Sequence, residues 1–242
     1  MGHSETVFVA TSKKADYKFE YFTPEAEVPI CGHATIAAFS LMYSLGKLKK
    51  SEYKIETGAG ILTVSVDANG LIYMQQNSPQ YEEVLNKNIF EKCLNVSLID
   101  EAMPIQIVST GLRDIILPIK DLDSLNNMIL NFEEMKAITK KFNTIGVHAF
   151  SLLDDGDKNA ICRNFAPLYG INEESATGTA NCALACYLDK YGIKNKEYVF
   201  EQGYNLNSVS KITVRLERSL EDIINVQVGG YGYTVDCFDL FL

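Results

Sequence analysis

The chain has 242 residues, of which 47% are hydrophobic, and it carries a formal net charge of −9. This apolar content is enough for one large core or two modest cores. The acidic charge and the lack of a long basic run argue against nucleic acid and anionic membranes as partners.

Neither a signal peptide nor an apolar run long enough to cross a bilayer is recognisable. The six cysteines are scattered, with no Cys-x-x-Cys pair and no Cys/His spacing of the zinc-finger type. We therefore expect a soluble, cytoplasmic protein with reduced thiols and no bound metal.

Hydrophobic periodicity predicts many short strands and a few helices, which is an α+β arrangement. The predicted helices are, in chain order, residues 33–45, 85–94, 121–142 (one or two helices) and 180–191. The predicted strands are residues 17–22, 53–56, 61–66, 71–75, 105–109, 114–119, 147–153, 160–165, 198–200, 210–217, 224–229 and 233–242.

The sequence also contains an internal repeat. Residues 22–58 and 165–203 both begin with Phe-x-Pro, reach a glycine that opens an apolar helix, and meet a second glycine fourteen residues later. Such self-similarity predicts two related lobes, and a cleft between matched lobes is a natural place for a small ligand. The glycines are Gly32 and Gly46 in the first copy, and Gly178 and Gly192 in the second.

We place the lobe boundary near Met103-Pro104. This gives an N-terminal lobe of residues 1–103 and a C-terminal lobe of residues 104–242, whose last strand is free to pack back on the first lobe. About sixty residues of the second lobe precede its Phe-x-Pro, but only twenty-one precede the first. The first lobe is therefore expected to be short by several strands, through a lost fragment, a misplaced start codon or a genuine reduction.

Each copy of the repeat places a glycine and a small or polar residue at the first turn of its helix, as Gly32-His33 and Gly178-Thr179. Helix N-termini present unpaired N–H groups and partial positive charge, and glycine lets a ligand approach the backbone. Two such ends facing one cleft would bind a carboxylate from both sides. A pair of ordinary helix starts is the alternative.

Three further side chains could take part in chemistry. His33 is either an acid–base group at the cleft or a structural hydrogen-bonding residue. Glu174 could orient a histidine or a substrate group, or simply place negative charge near a helix start. If Phe8 and Phe150 correspond, Glu5 corresponds to Val147 of the second lobe. A partly buried carboxylate at that position would suit proton transfer. An exposed terminal glutamate is the alternative for Glu5.

Seven motifs of the chain are similar to those of the PhzF phenazine-biosynthesis-like family, which has the diaminopimelate epimerase fold. The resemblance covers essentially the whole chain. The motifs lie at residues 4–8, 22–29, 31–35, 56–60, 173–180, 201–203 and 228–230.

This resemblance implies two similar lobes, each a curled, mostly antiparallel sheet around a central helix. It implies an isomerase without metal or cofactor, which moves a proton between carbon atoms of a small carboxylate substrate. We also expect a homodimer. The implied catalytic residues are Glu5, His33, Glu174 and Thr179, and the implied substrate-binding residues are Gly32, Gly60, Thr177 and Gly178.

Two implied site residues depart from the family pattern, because Glu174 and Thr179 stand where the family has aspartate and serine. The substrate is therefore left open. Epimerases of this fold use one cysteine from each lobe, and a racemase using Cys31 is the second hypothesis. Its weakness is Thr177 at the matching position, since a hydroxyl is far less acidic than a thiol. A small-molecule-binding remnant without activity is the third hypothesis.

Overall fold

The computed structural model describes residues 5–24, 26–153, 156, 158–220 and 222–237. The chain forms two compact units, one of residues 1–75 with 229–242 and the other of residues 76–228. These units divide at a different point from the repeat boundary predicted at Met103-Pro104. The C-terminal residues from Gly229 onward are grouped with the first unit.

The first unit contains a sheet in the order β1-β2-β4-β5-β6, with β3 paired to β2. The β2–β4 pair is parallel, and the other neighbours are antiparallel. Its elements are β1 (Thr6–Ala10), β2 (Tyr17–Phe22), β3 (Glu27–Val28), α1 (Gly32–Ser44), β4 (Glu52–Thr57), β5 (Gly60–Val66) and β6 (Ile72–Gln76).

The second unit contains a sheet in the order β15-β14-β13-β11-β10-β9-β8-β7, with β12 paired to β11. The strands are β7 (Gln80–Leu85), β8 (Ile105–Ser109), β9 (Arg113–Pro118), β10 (Gly146–Leu152), β11 (Ala160–Ala166), β12 (Ile171–Glu174), β13 (Glu197–Gln202), β14 (Ser210–Ser219) and β15 (Asp222–Gly230). The helices are α2 (Leu122–Asn126), α3 (Phe132–Phe142) and α4 (Gly178–Lys190).

The internal repeat is visible in the topology of the two units. The series β1-β2-β3-α1-β4-β5-β6 has the same element order and strand pairing as β10-β11-β12-α4-β13-β14-β15. In each series a short strand pairs with the second strand, the helix follows, and the next strand pairs with the second strand in parallel. The elements β7, β8, β9, α2 and α3 have no counterpart among the described residues of the first unit. The predicted α+β fold class is confirmed.

Two of the local predictions are wrong. The helix predicted over 85–94 is only a short 3₁₀ turn, Lys87–Phe90, which begins after β7 has ended. The strand predicted over 233–242 is absent over 233–237, and its remainder lies outside the described residues. No described helix has both the length and the apolar character needed to cross a membrane.

Each repeat helix is held by the aromatic and aliphatic side chains of its own unit. Phe39 of α1 is fully buried, and its ring lies 5.5 Å from that of Phe19 and 5.6 Å from that of Tyr53. In α4 every residue from Ala180 to Asp189 is buried, including the polar Asn181 and Asp189. The helix starts are therefore fixed in position by packing.

Phe39→Ala should lower the free energy of unfolding by about 3–5 kcal/mol, because it removes a fully buried ring and leaves a cavity. Leu41→Ala is the matched control, since Leu41 lies on the same helix with 44% of its surface exposed. Leu41→Ala should lower the free energy of unfolding by less than about 1 kcal/mol. Urea unfolding followed by circular dichroism measures both variants, and equal losses would contradict this packing.

Candidate active site

Glu5, Cys31 and His33 come together in the first unit. Glu5 directly precedes β1, Cys31 is the N-cap of α1, and His33 lies in the first turn of that helix. The distance from His33 Nε2 to Glu5 Oε2 is 3.0 Å, and Cys31 Sγ lies 3.6 Å from both ring nitrogens of His33. Two residues predicted to be catalytic, Glu5 and His33, are thus neighbours.

The Glu5 carboxylate is only partly satisfied. Its side chain is 22% exposed, while that of His33 is 48% exposed. Glu5 Oε2 is itself buried and has no well-oriented hydrogen bond from any described residue, despite its closeness to the imidazole. A buried carboxylate oxygen without a well-oriented donor is costly, so a cation arriving at this oxygen would be stabilised.

Strand register changes the equivalence expected for Glu5. Thr6 pairs with Phe22, and Val147 pairs with Phe165. Since the two phenylalanines begin the repeated Phe-x-Pro motifs, Val147 is equivalent to Thr6, and the expected match of Val147 with Glu5 is wrong by one residue.

The position equivalent to Glu5 is therefore Gly146. A Cβ atom added there would lie 2.4 Å from the carbonyl oxygen of Phe165. The second unit thus has no room for any side chain at this position, and the carboxylate belongs to the first unit alone.

Both repeat helices begin without a side-chain cap. Neither Cys31 nor Thr177 makes a capping hydrogen bond, and neither helix has an acidic residue in its first turn within the described chain. The first N–H groups of α1 and α4 therefore keep their capacity to bind an anion. A Cβ added at Gly32 would meet only Met74 Cε, at 3.4 Å. Packing alone therefore does not require glycine at this position.

The remaining predicted residues lie in several places. Gly60 begins β5 in the first unit with φ +114°, next to open space. Gly178 and Thr179 open α4 in the second unit. Thr177 Oγ1 donates a hydrogen bond of 2.6 Å to Glu174 Oε2. The N-cap hydroxyl thus serves this carboxylate and leaves the helix end uncapped.

A network of amide side chains holds Glu174 and Thr177 in position. Gln202 Nε2 donates to the carbonyl oxygen of Glu174 at 2.7 Å and to Thr177 Oγ1 at 3.0 Å. Asn181 Nδ2 donates to Gln202 Oε1 at 2.9 Å. Asn164 Nδ2 lies 3.5 Å from Glu174 Oε2, while its Oδ1 lies 3.1 Å from His148 Nδ1. Both Glu174 and the N-terminus of α4 are therefore rigidly supported.

Two titratable side chains of this network are fully buried. Burial raises the pKa of Asp114 to about 7, with a further increase from the negative charge of Glu174 and an opposing hydrogen bond from the Gly146 backbone. Burial lowers the pKa of His148 to about 4. Both groups are thus predominantly neutral in slightly acidic solution. The sequence signal that could have revealed them is a polar residue inside an otherwise buried strand, β9 or β10.

Comparison with known proteins places this chain and its fold in a class. A model of the phenazine biosynthesis-like protein family, PhzC/PhzF, matches residues 1–236. An otherwise uncharacterised isomerase of Clostridium acetobutylicum is 34% identical, over 100% of this chain and 85% of its own length. The crystal structure of a PhzF-family phenazine biosynthesis protein of Bacillus anthracis has a TM-score of 0.85 and 29% identity, covering 95% of this chain and 82% of that one.

A more distant structure shares the fold alone. The predicted epimerase of Pseudomonas aeruginosa has a TM-score of 0.72 and 23% identity, covering 94% of this chain and 80% of that chain. The architecture is thus that of the epimerase-like isomerases. The chain belongs to the phenazine biosynthesis-like PhzC/PhzF family, and it is an enzyme of the isomerase class.

Asp114→Asn should stabilise the protein more at about pH 8 than at about pH 5. In the folded state the carboxyl of Asp114 binds a proton up to about pH 7, whereas in the unfolded chain it loses that proton near pH 4. Stability is therefore lost as the pH rises through this window, and the amide removes the loss. The expected increase in the variant's advantage is about 2–3 kcal/mol.

The measurement for this prediction is urea unfolding at both pH values. His148 is present in wild type and variant, so its own titration cancels in the comparison. Asp123→Asn, at an exposed position on α2, is the matched control and should show no comparable gain. An equal effect of Asp114→Asn at the two pH values would show that Asp114 does not titrate between them.

Proposed function

We propose that the protein isomerises a small carboxylate substrate by moving a proton between two of its carbon atoms, with Glu5 as the acid–base group. The observation that carries this proposal is the buried Oε2 atom of Glu5, which lies beside His33 at the uncapped start of α1. A base, a second polar group and an anion-binding backbone are thus present in one unit.

In the proposed reaction Glu5 moves the proton and the start of α1 binds the substrate carboxylate. Glu5 takes the proton from a C–H bond next to a conjugated carboxylate, and the electron pair of that bond spreads over the adjacent double bond. The N–H groups at the start of α1 bind the substrate carboxylate and stabilise the developing negative charge. Glu5 then returns the proton to a second carbon atom, and the double bond has moved. No external oxidant or reductant is needed.

His33 is proposed to position the Glu5 carboxylate and a polar group of the substrate. Its exposed ring at the N-terminal end of α1 can exchange the Glu5 contact for a substrate contact without unfolding the helix. Catalytic roles for Glu174 and Thr179, and binding roles for Gly32, Gly60, Thr177 and Gly178, remain predictions, as do the homodimer and the cytoplasmic location. Glu174 is held ready for such a role by the hydroxyl of Thr177.

Glu5→Gln tests the proposal because glutamine keeps the shape of the side chain but cannot transfer the proton. Small cyclic and hydroxy carboxylates that raise the melting temperature are first identified. Each is then incubated with enzyme in D₂O, and deuterium entering the ligand is followed by NMR. We expect exchange to fall about 10²–10⁴-fold in the variant, while the ligand-induced melting shift persists.

The same assay tests the alternatives. A variant that exchanges protons at the wild-type rate would overturn the role of Glu5. Binding without any exchange in the wild-type protein would instead favour the small-molecule-binding remnant.

A cysteine racemase remains the second candidate, because Cys31 Sγ lies within 4.8 Å of the Glu5 and His33 ligand atoms. The hydroxyl of Thr177, at the matching position in the second unit, is already engaged with Glu174. Cys31→Ala separates the two mechanisms. A thiol mechanism loses proton exchange by more than about 10³-fold, whereas a glutamate mechanism loses less than about 10-fold.

A further inference from the structure

We propose that Glu5, Cys31 and His33 form a binding site for one thiophilic divalent ion of the Zn²⁺ type. A thiolate, an imidazole and a carboxylate are the three side-chain ligands that zinc accepts in proteins. Here one of each is present, and their ligand atoms all lie within 4.8 Å of one another. The remaining described residues of the chain bring together no other such group.

A side-chain rotation would bring the three groups to tetrahedral coordination. Ligand atoms about 2.3 Å (sulfur) and about 2.0–2.1 Å (nitrogen or oxygen) from a tetrahedral zinc ion lie roughly 3.4–3.6 Å from each other. Cys31 Sγ is 3.6 Å from both ring nitrogens of His33, so the exposed imidazole has to rotate until one nitrogen points at the ion and the other turns away from the sulfur. His33 Nε2 and Glu5 Oε2, at 3.0 Å, need to separate only slightly. Three protein ligands leave a fourth position for water.

The backbone holds these ligands in place. Cys31 is the extended N-cap, with φ −143° and ψ 112°, and His33 is two residues further on, inside the helix. This change of backbone direction at the helix start turns both side chains toward the same point. Glu5 is fixed by the β1–β2 ladder that begins at the next residue, Thr6.

The site also has an electrostatic reason to take up a cation. Glu5 Oε2 is buried and lacks a well-oriented donor among the described residues, and a metal ion supplies the missing positive partner. One thiolate and one carboxylate together balance the charge of a divalent ion. The half-exposed ring of His33 gives the ion a path from solvent. Sequence spacing alone predicts no metal here, because Glu5 is far from Cys31 along the chain.

Ion binding has a consequence for catalysis that rests on the proposed function. The Glu5 carboxylate cannot hold a metal ion and accept a substrate proton at the same time. Zn²⁺ should therefore inhibit the isomerase reversibly, and a chelator should restore activity.

Binding is tested with Co²⁺ as a spectroscopic probe, added to the full chain after removal of metals with a chelator. One equivalent should produce the near-ultraviolet thiolate-to-cobalt band together with tetrahedral visible bands, and Zn²⁺ should abolish both. Cys31→Ser should remove the thiolate band and weaken Zn²⁺ binding by at least about 10-fold. His33→Gln should also weaken binding by at least about 10-fold.

Cys237→Ser is the matched control, because Cys237 is the exposed cysteine of the described chain. It should bind Co²⁺ and respond to Zn²⁺ as the wild type does. Circular dichroism confirms that each variant is folded, and His33→Gln replaces Cys31→Ser if the latter is not. A band that survives in the folded Cys31 variant, or disappears in the Cys237 variant, would overturn the proposed site.

The two proposals can fail separately. Stoichiometric Co²⁺ binding with unchanged turnover would overturn Glu5 as the catalytic base and leave the metal site intact. Loss of exchange in Glu5→Gln without any Co²⁺ band in the wild type would overturn the metal site alone.

Discussion

Two helix starts whose first backbone N–H groups are not capped by a side chain are the feature on which the proposed chemistry of this protein depends. Each repeat helix is fixed by its own sheet, α1 through rings such as Phe39 and α4 by burial along nearly its whole length. Packing therefore holds both helix starts in position, so they do not shift to find other hydrogen-bond partners. Neither N-cap side chain serves the helix, so the N–H groups remain available for a ligand.

The surroundings of the helix start differ between the two units. In the second unit the start of α4 is backed by buried amide side chains and by the hydroxyl of Thr177. These hydrogen bonds hold the start of α4 and the Glu174 carboxylate in position. In the first unit the start of α1 faces an ionisable cluster with an unsatisfied oxygen. The two helix starts of the repeat therefore differ in their surroundings: one lies in a hydrogen-bonded amide network, and the other lies beside an ionisable cluster.

The two proposed uses of the cluster at α1, proton transfer and metal binding, draw on the same side chains. The ligand atoms of Glu5, Cys31 and His33 lie within 4.8 Å of one another, and the buried Glu5 Oε2 has no well-oriented donor among the described residues. The isomerase class of the family is consistent with the first use. The second use, proposed above, depends on Cys31 in the same cluster, and competition between the two proposed uses would connect metal availability to activity.

Much of the fold was determined by the sequence alone. The repeat, both central helices and the strand-rich composition follow from local periodicity and glycine spacing, which depend on neighbours along the chain. Tertiary structure decided the rest. The alignment of the two units differs by one residue from the expected alignment and matches Glu5 with Gly146. It depends on strand pairing. The contact of Glu5 with His33 depends on atoms from distant parts of the chain. So does the burial that raises the pKa of Asp114 and lowers the pKa of His148.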